Sequence, residues 1–409
     1  MSTVFLHVGQ CGNQVGRSFW KIANQDKKAE NSATFVDAEK MQRSVHVDSE
    51  PKVVHSLIAN QRSRVRKKNV LAGKRGRGSN WAMGYYGLQS KGDDTLVENT
   101  IDAVRHVVER CDSFTGTVVM HSLAGGTGSG LGSRLCECLR DEYPMNYLLS
   151  CAIAPFASGE SPLQHYNSLL TLSHLQRYCD GVIVSYNDEV LKRLEKGTDR
   201  SVSFEAVNRH IAGSLCGVFL PTDTLLSKCG YSSGQEPFEL LRAVCPMPAH
   251  KFIHLLHHSK KKTSWEELLK ETLYRLRRYD EHGKLFSSLA NVMVARGQDS
   301  SSINRIQPKL KSKIQTAYNC VRWNPFPVDV WTATSNMTST RDSSSVTIAA
   351  NYGCCVEHLD TVIKKSKIMY DAGAYLHWYW RYGLTQEMFD ESFETLQSTI
   401  DEYQTALSP

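Results

Sequence analysis

The strongest constraint in this chain is a glycine-rich segment, Ala124–Gly130, which reads Ala-Gly-Gly-Thr-Gly-Ser-Gly. The apolar run Thr117–Met120 precedes it and the amphipathic run Leu131–Tyr143 follows it, so the order predicts a strand, a loop and a helix. Glycines leave backbone N–H groups uncovered, and a helix start adds free N–H groups and a positive dipole end. Such a loop suits phosphate binding, and a tight glycine turn without a ligand is the plain alternative.

The segment does not fit a P-loop, which ends in Gly-Lys-Ser/Thr, because Gly130 is followed by Leu131. A dinucleotide-binding fingerprint places its glycines after the first strand. A weak pattern of that kind follows the apolar run Val4–Val8, at Gly9, Gly12 and Gly16. The two glycine loops together therefore indicate a phosphate site more strongly than either one does alone.

The composition is that of an ordinary globular protein. The 409 residues suffice for two or three packed domains, and 41% of them are apolar and 22% charged. No run of 18 apolar residues occurs, and the first residues lack the basic region and long apolar core of a signal peptide. We therefore expect neither a membrane span nor a secretory leader.

Twelve cysteines occur without CxxC pairs or zinc-like spacing, which favours reduced thiols in the cytosol. The net charge is +6, and the basic residues fall in four runs: Arg62–Lys68, Lys74–Arg77, Lys260–Lys262 and Arg275–Arg278. Such runs are most often solvated faces, and the functional alternative is an acidic partner surface. The sequence contains no recognisable nucleic-acid-binding motif, so no nucleic-acid partner is expected.

The first half alternates strand and helix patterns. Strands are predicted at Val4–Val8, Val45–Val47, Thr117–Met120, Ser150–Ile153 and Gly181–Ser185, with helices at Thr95–Cys111 and Leu163–Arg177. This pattern predicts an α/β fold with a mostly parallel sheet. Ligands of such sheets bind at the carboxyl ends of the strands, where both glycine loops and Asn187 fall.

The second half of the chain begins with a long apolar helix, predicted over residues 204–223. After Pro246 and Pro248 we expect a basic, helical region to about Asp280. Strands are then predicted at Ser288–Ala295, Asn319–Arg322, Val328–Ala333 and Val346–Ala350, and helices at Val356–Lys367 and Gln386–Tyr403. The predicted units are a nucleotide-binding domain (1–203), a core helix (204–223), an intermediate α+β domain (224–350) and a C-terminal helical segment (351–409).

Two segments, Gly9–Gln14 and Ala124–Gly130, resemble at this separation the phosphate loops of the tubulin superfamily. Further tubulin-like motifs cover nearly the whole chain: Val47–Pro51, Asn80–Gly84, Tyr166–Leu170, His282–Lys284 and His377–Tyr379. The resemblance implies a tubulin-like fold, with a Rossmann-like GTPase sheet, a long core helix, a smaller α+β second domain and C-terminal helices. Cys111–Phe114 and Leu170–Leu175 resemble the minor tubulins, zeta-tubulin first and delta-tubulin a close second.

The resemblance implies that GTP or GDP lies across the strand ends. The residues matching the two phosphate loops are Gly9, Gln10, Cys11 and Gln14, then Ala124, Gly125, Gly126, Thr127 and Gly128. Asp48 and Glu50 match the acidic pair that holds Mg²⁺ and its waters, a role that suits hard oxygen ligands. Without the resemblance, the alternative for these two residues is a helix-start pair beside Pro51.

Three further residues match the base-binding positions of tubulins. Asn187 and Asn208 correspond to the asparagines that read guanine, since an amide both donates to and accepts from one base edge. Phe204 corresponds to the aromatic residue that stacks on the base. The alternatives are a helix cap for Asn187 and a core aromatic for Phe204.

Glu239, seven residues before Pro246, matches the acid of α-tubulin that activates water at the neighbouring subunit's GTP. A carboxylate there could orient or deprotonate water. The site for GTP hydrolysis would then be formed by residues of two chains. The alternative is an ordinary exposed helical glutamate.

The chain also departs from the tubulin pattern. Gln164 replaces a glutamate near the ribose, and Ser79 replaces one asparagine of the third loop. The stretch from Lys251 to His282, which includes the lateral-contact loop, is short, and the last residues lack a long acidic tail. The changes at Gln164 and Ser79 bear on nucleotide affinity and turnover, whereas the short stretch and the missing acidic tail argue against an ordinary microtubule lattice subunit.

The sequence therefore predicts a GTP-binding structural protein of the microtubule cytoskeleton, cytoplasmic and associated with centrioles, basal bodies and cilia. It would associate longitudinally with tubulin-family subunits, and its basic runs could dock on an acidic microtubule surface. The alternatives are a GTPase switch whose hydrolysis controls assembly and a nucleotide-free interaction module with a tubulin fold.

Overall fold

One mixed sheet of eleven strands organises the described chain. The computed structural model describes residues 2–58, 64–87, 95–159, 161–195, 202–225, 236–335, 337 and 343–408. The strands are β1 (Ser2–Val8), β2 (Ser44–Asp48), β3 (Val70–Ala72), β4 (Phe114–Ser122), β5 (Tyr147–Ala154), β6 (Gly181–Tyr186), β7 (Thr224–Leu225), β8 (Phe252–Lys261), β9 (Ser288–Arg296), β10 (Val328–Ala333) and β11 (Ser343–Tyr352). Their order across the sheet is β3-β2-β1-β4-β5-β6-β8-β11-β9-β10-β7.

Helices cover both faces of this sheet. They are α1 (Gly9–Ala23), α2 (Lys27–Asn31), α3 (Pro51–Ile58), α4 (Trp81–Tyr86), α5 (Leu96–Val108), α6 (Gly132–Glu142), α7 (Gln164–Tyr178), α8 (Asn187–Glu195), α9 (Phe204–Phe219), α10 (Glu239–Val244), α11 (Trp265–Tyr274), α12 (Ile303–Ala317), α13 (Cys354–Asp371), α14 (Leu376–Trp380) and α15 (Gln386–Leu407). None of the helices in the described ranges is long and apolar enough to cross a membrane.

The predicted parallel α/β arrangement is confirmed for the first six strands, which pair in parallel throughout. Strands such as β1 and β2 are buried along their whole length, as expected where helices cover both faces. The apolar residues of α5, α6 and α7 pack on one face and those of α1 and α9 on the other. The sheet is thus sealed between two apolar layers.

The sheet continues into the second half because β8 pairs in parallel with β6. Strand β11 is antiparallel to both β8 and β9, and β10 is parallel to β9. Strands β1–β6, β8, β9 and β10 therefore run in one direction. This common direction gives the sheet a carboxyl end, where these strands finish, and an amino end, where they begin.

Two predictions for the second half are wrong. Residues Phe252–Lys261 form β8 instead of the beginning of a helical region, because a short apolar run fits a buried strand and a helix equally well. Helix α11 begins at Trp265, after a link of three residues. Asn319–Arg322 is a turn, with Asn319 at φ 47° and Cys320 making a single bridge to Ser288. Much of the polar stretch 335–345 lies outside the described residues.

Helix α9 is the predicted core helix, though it ends at Phe219. Ser203 caps its start by accepting a hydrogen bond from the backbone N–H of Ala206. At its other end, the fully buried guanidinium of Arg296 donates to the carbonyl oxygens of Gly217 at 2.9 Å, Pro221 at 3.0 Å and Leu220. Since the last carbonyls of a helix lack intrahelical partners, Arg296 on β9 ties α9 to the second half of the sheet.

Replacing Arg296 by alanine should lower the free energy of unfolding by about 3 kcal/mol, because three buried carbonyl groups lose their donor. Urea denaturation measures the change. Arg105→Ala, which removes only surface ion pairs with Asp102 and Glu142, is the control and should lower the free energy of unfolding by less than about 1 kcal/mol. Equal effects of the two substitutions would contradict the role given to Arg296.

Candidate nucleotide-binding site

The two predicted phosphate loops meet at the carboxyl end of the sheet, on the adjacent strands β1 and β4. Gly9 has φ +74°, and a Cβ atom on it would lie 2.9 Å from the backbone nitrogen of Gly128. This contact is possible only without a side chain, and the positive φ also favours glycine. The spacing of the glycines in the sequence thus reflects a direct backbone contact between the loops.

Both loops open into helical starts that no side chain caps. Helix α1 begins at Gly9, and a π-helical turn begins at Gly126; neither Val8 nor Gly125 makes a side-chain capping bond. A Cβ atom on Gly125 would meet no atom of the described residues within 4 Å. Uncapped N–H groups beside open space form an anion-binding arrangement.

The remaining members of the phosphate loops surround this space. Gln10 is exposed and Cys11 half-buried in the first turn of α1, and burial raises the pKa of the Cys11 thiol to about 12. Thr127 shares a hydrogen bond of 2.6 Å with the hydroxyl of Ser49. This bond joins the second glycine loop to the segment after β2. Ser49 was not among the predicted site residues.

Asp48 ends β2 and Glu50 follows it into α3. The Asp48 carboxylate is buried, its Oδ1 accepts from the backbone N–H of Glu50 at 3.0 Å, and its Oδ2 has no hydrogen-bond partner among the described residues. The pKa of Asp48 is raised from 3.8 to about 6, mainly by burial, with a further contribution from the Glu50 charge. An unsatisfied buried carboxylate oxygen beside a second, exposed carboxylate fits a Mg²⁺ site.

Asp48 and Glu50 are the two carboxylates that the structure offers to such an ion. The described residues contain no group of three or more metal-ligating side chains. Proteins commonly hold Mg²⁺ with one or two carboxylates while substrate phosphates and waters supply the other oxygens. The donor set at the end of β2 matches that pattern.

The predicted base-binding residues also gather at the carboxyl end. The Asn208 amide on α9 donates to Oε1 of Gln14 on α1 at 3.2 Å. Phe204 is 64% exposed and meets the Phe156 ring edge-on at 6.0 Å, so it is not a core residue. Asn187 is the first residue of α8, directly after β6. An exposed ring near paired amides is suited to a flat, polar base.

Asn167 on α7 organises two of the loops, and residue-type reasoning missed this role. Its amide nitrogen donates to the carbonyl oxygens of Ala124 at 2.6 Å and Ser79 at 2.8 Å. Its oxygen accepts from the backbone N–H of Trp81 at 2.9 Å and the Tyr379 hydroxyl at 2.8 Å. The one sequence signal was its presence in the Tyr166–Leu170 motif.

Glu239 lies at the opposite, amino end of the sheet. It begins α10, beside Phe238, whose ring stacks on Tyr147 at the start of β5 with centroids 5.4 Å apart. Glu239 is 8% exposed, so it is not an ordinary surface glutamate. A strand of eight residues is about 25 Å long, which separates Glu239 from the phosphate loops of its own chain.

Asp48→Asn should stabilise the protein at neutral pH when metal ion and nucleotide are absent. The native pKa of about 6 exceeds 3.8, so the folded state binds more protons between these values. The stability that the protonated carboxyl contributes is therefore fully present below pH 4 and is lost as the pH rises through 6. The free energy of unfolding falls by about 3 kcal/mol over this range. Thermal midpoints from pH 4 to 8 in EDTA would show this fall in the wild type and not in the variant. Exposed Asp112→Asn should keep the wild-type profile.

The family of this chain is shown by its similarity to known proteins. Residues 2–195 match the Tubulin/FtsZ family, GTPase domain. The chain is 30% identical to the tubulin delta chain of Macaca fascicularis over 98% of its own length and 99% of that protein. It is 29% identical to the delta chain of Homo sapiens, with the same coverage, and 27% identical to the tubulin beta-2 chain of Suillus bovinus over 98% of its own length and 95% of that protein. The predicted family and fold are thus confirmed, and the chain is a minor member of the tubulin superfamily.

Proposed function

We propose that the protein binds GTP or GDP at the carboxyl end of its sheet and serves as a structural component of the microtubule cytoskeleton. The observation that carries this proposal is the pair of uncapped helical starts at Gly9 and Gly126, held against each other beside open space. The phosphates would lie on these N–H groups. The base would lie on Phe204, within reach of Asn187 and Asn208.

Asp48 and Glu50 would hold Mg²⁺ at this site. The ion neutralises phosphate charge when it is bound. The role of the protein is to orient the carboxylates: Thr127 contacts Ser49, which fixes the end of β2 against the second glycine loop. A Cβ atom on Gly76 would lie 2.6 Å from the Glu50 carboxylate, so the segment after β3 bounds the other side.

Exposed aromatic residues at both ends of the sheet support longitudinal association with tubulin-family subunits. Trp378, 42% exposed, accepts at its carbonyl a bond of 3.2 Å from Asn80 at the carboxyl end. Trp323 and Phe326, 49% and 63% exposed, precede β10 at the amino end. Different apolar patches on opposite ends suit a head-to-tail contact between subunits.

The cellular setting is part of the same proposal. We propose a location in the cytoplasm at centrioles, basal bodies or cilia. The delta-tubulin relatives support a minor tubulin, and the three-residue link between β8 and α11 argues against an ordinary lattice subunit. The proposed type is zeta-tubulin, with delta-tubulin a close second, and the proposed organisation is the four units 1–203, 204–223, 224–350 and 351–409. An acidic microtubule surface is a proposed docking partner, and neither nucleic acid nor a membrane is.

Mass spectrometry of the nucleotide released from native protein purified in Mg²⁺ should detect GTP or GDP. Asn208→Ala should reduce guanine-nucleotide retention at least about tenfold, because it removes a hydrogen bond to the base and the contact with Gln14. Exposed Asn99→Ala on α5 is the control and should retain the wild-type amount. A wild-type protein without nucleotide would instead favour the nucleotide-free interaction module.

The placement of Glu239 favours a second candidate function, a GTPase switch completed by assembly. Its carboxylate is too far from its own phosphate loops, whereas a head-to-tail neighbour would bring it to a nucleotide. We expect Glu239→Gln and Glu239→Ala to retain nucleotide but to reduce partner-stimulated phosphate release by about 10²-fold or more. Phosphate release is measured with and without a tubulin-family partner, and exposed Glu394→Gln serves as the control. Unchanged turnover in the assembled complex would exclude a role for Glu239.

A further inference from the structure

A cavity of about 870 Å³ lies between α1, α9 and the end of β8. Gln14 and Asn208 border it at one end, where it adjoins the candidate base site. It continues along α1 to Ile22, eight residues after Gln14, which is about 12 Å along a helix axis. We call this space the α1–α9 cavity; Phe204 also lines it, and most of its other lining residues are not among the predicted base-binding residues.

The α1–α9 cavity is strongly basic. Five cationic side chains and one acidic side chain are found among the described residues that line it: Arg17, Lys21, Arg193, Arg209 and Arg275, with Glu205. Arg193 pairs with Glu189 at 2.8 Å, and Arg209 pairs with Glu205 at 3.0 Å. Lys21 and Arg275 are exposed and form no ion pair within the described chain. The cavity therefore presents uncompensated positive charge.

His210 on α9 adds an unsatisfied polar atom to the cavity wall. Its Nε2 atom is buried and has no hydrogen-bond partner in the described ranges. The pKa of His210 is lowered to about 4, first by desolvation and then by Arg193, Arg275 and His258. The positive field that disfavours a second proton on this imidazole would favour a carboxylate beside it. The Nε2 atom of His210 thus has hydrogen-bonding capacity that no described residue satisfies and that a bound group could use.

The basic surface continues out of the cavity along β8. His257, His258 and Ser259 line the cavity, and the next residues, Lys260–Lys262, are exposed. Lys260 pairs with Glu271, and Lys262 begins the short link to α11. Positive groups thus line the cavity on α1, α8, α9 and the segment after α11, and they continue beyond it at the end of β8. This distribution suits several carboxylates on an extended chain better than one compact phosphate.

We propose that the α1–α9 cavity and the lysine end of β8 dock an acidic polypeptide segment of a partner. One carboxylate accepts a hydrogen bond from His210, and others lie beside Lys21 and Arg275. The apolar side chains of Ile22 and Met337 pack against the stem of the segment. The assignment of this partner to the cytoskeleton rests on the proposed function, whereas the docking itself does not.

Fluorescence anisotropy with a labelled deca-glutamate peptide and the full-length protein tests the docking. The double variant Lys21→Glu/Arg275→Glu should bind the peptide at least tenfold more weakly than the wild type. The control Lys67→Glu/Lys284→Glu reverses the same number of exposed charges elsewhere and should change binding less than twofold. Binding by the wild type should weaken as salt rises from 50 to 200 mM, because the contacts are electrostatic.

Equal losses in the two double variants would overturn the proposal, since net charge alone would then explain binding. Tighter binding of deca-thymidylate than of deca-glutamate, lost in the cavity variant, would identify nucleic acid as the occupant and also overturn it. Nucleotide content is measured on the same samples. A protein that binds the peptide through the cavity but contains no guanine nucleotide would refute the proposed function and leave this inference intact.

Discussion

The backbone contact between Gly9 and Gly128 is the constraint on which the candidate site depends. It requires α1 to lie directly against the sheet, and two further glycines allow this. A Cβ atom on Gly12 would lie 2.1 Å from the Met120 carbonyl oxygen, and one on Gly16 would lie 2.2 Å from the His7 ring. Three glycines at helical spacing thus remove the side chains from one stripe of α1.

The close contact between α1 and the sheet also positions the acidic pair, Asp48 and Glu50. Asn13, between Gly12 and Gly16, donates from its amide to the carbonyl oxygen of Val47 at 3.0 Å and accepts a bond from His46 at 3.0 Å. Strand β2 is thereby held in register with the start of α1. Asp48 follows Val47 directly, so the phosphate loops and the proposed metal ligands are positioned by one helix.

The first half of the fold was predictable because its signals are local. Buried parallel strands are short β-branched runs, and the glycine loops mark where each strand ends, as at Val4–Val8 and Thr117–Met120. The residues of the candidate site were predicted only when the family resemblance was combined with these loops. The exposed position of Phe204 was not deducible from the residue alone, because an aromatic at a helix start fits a core equally well.

The features that the sequence did not predict depend on contacts between residues that are far apart in the chain. Strand β8 is a strand because β6 and β11 flank it, and nothing within its own apolar run distinguishes it from a helix. Asn167 acquires its role from loops about 40 and 90 residues away in sequence. Nothing in the sequence around Arg296 indicates that it binds the carbonyl groups at the end of α9. A single sequence does not show which distant groups will need a donor.

The unsatisfied groups at the carboxyl end also affect the lifetime of the protein. The ligand-free form carries uncapped helix starts and a buried carboxylate, Asp48, whose raised pKa means that its ionisation at neutral pH lowers the stability of the fold. A ligand that satisfies these groups stabilises the folded state by mass action. The population of locally opened, protease-sensitive chains is then set by ligand supply. The abundance of this protein in a cell would accordingly follow its guanine-nucleotide pool, even where synthesis is constant.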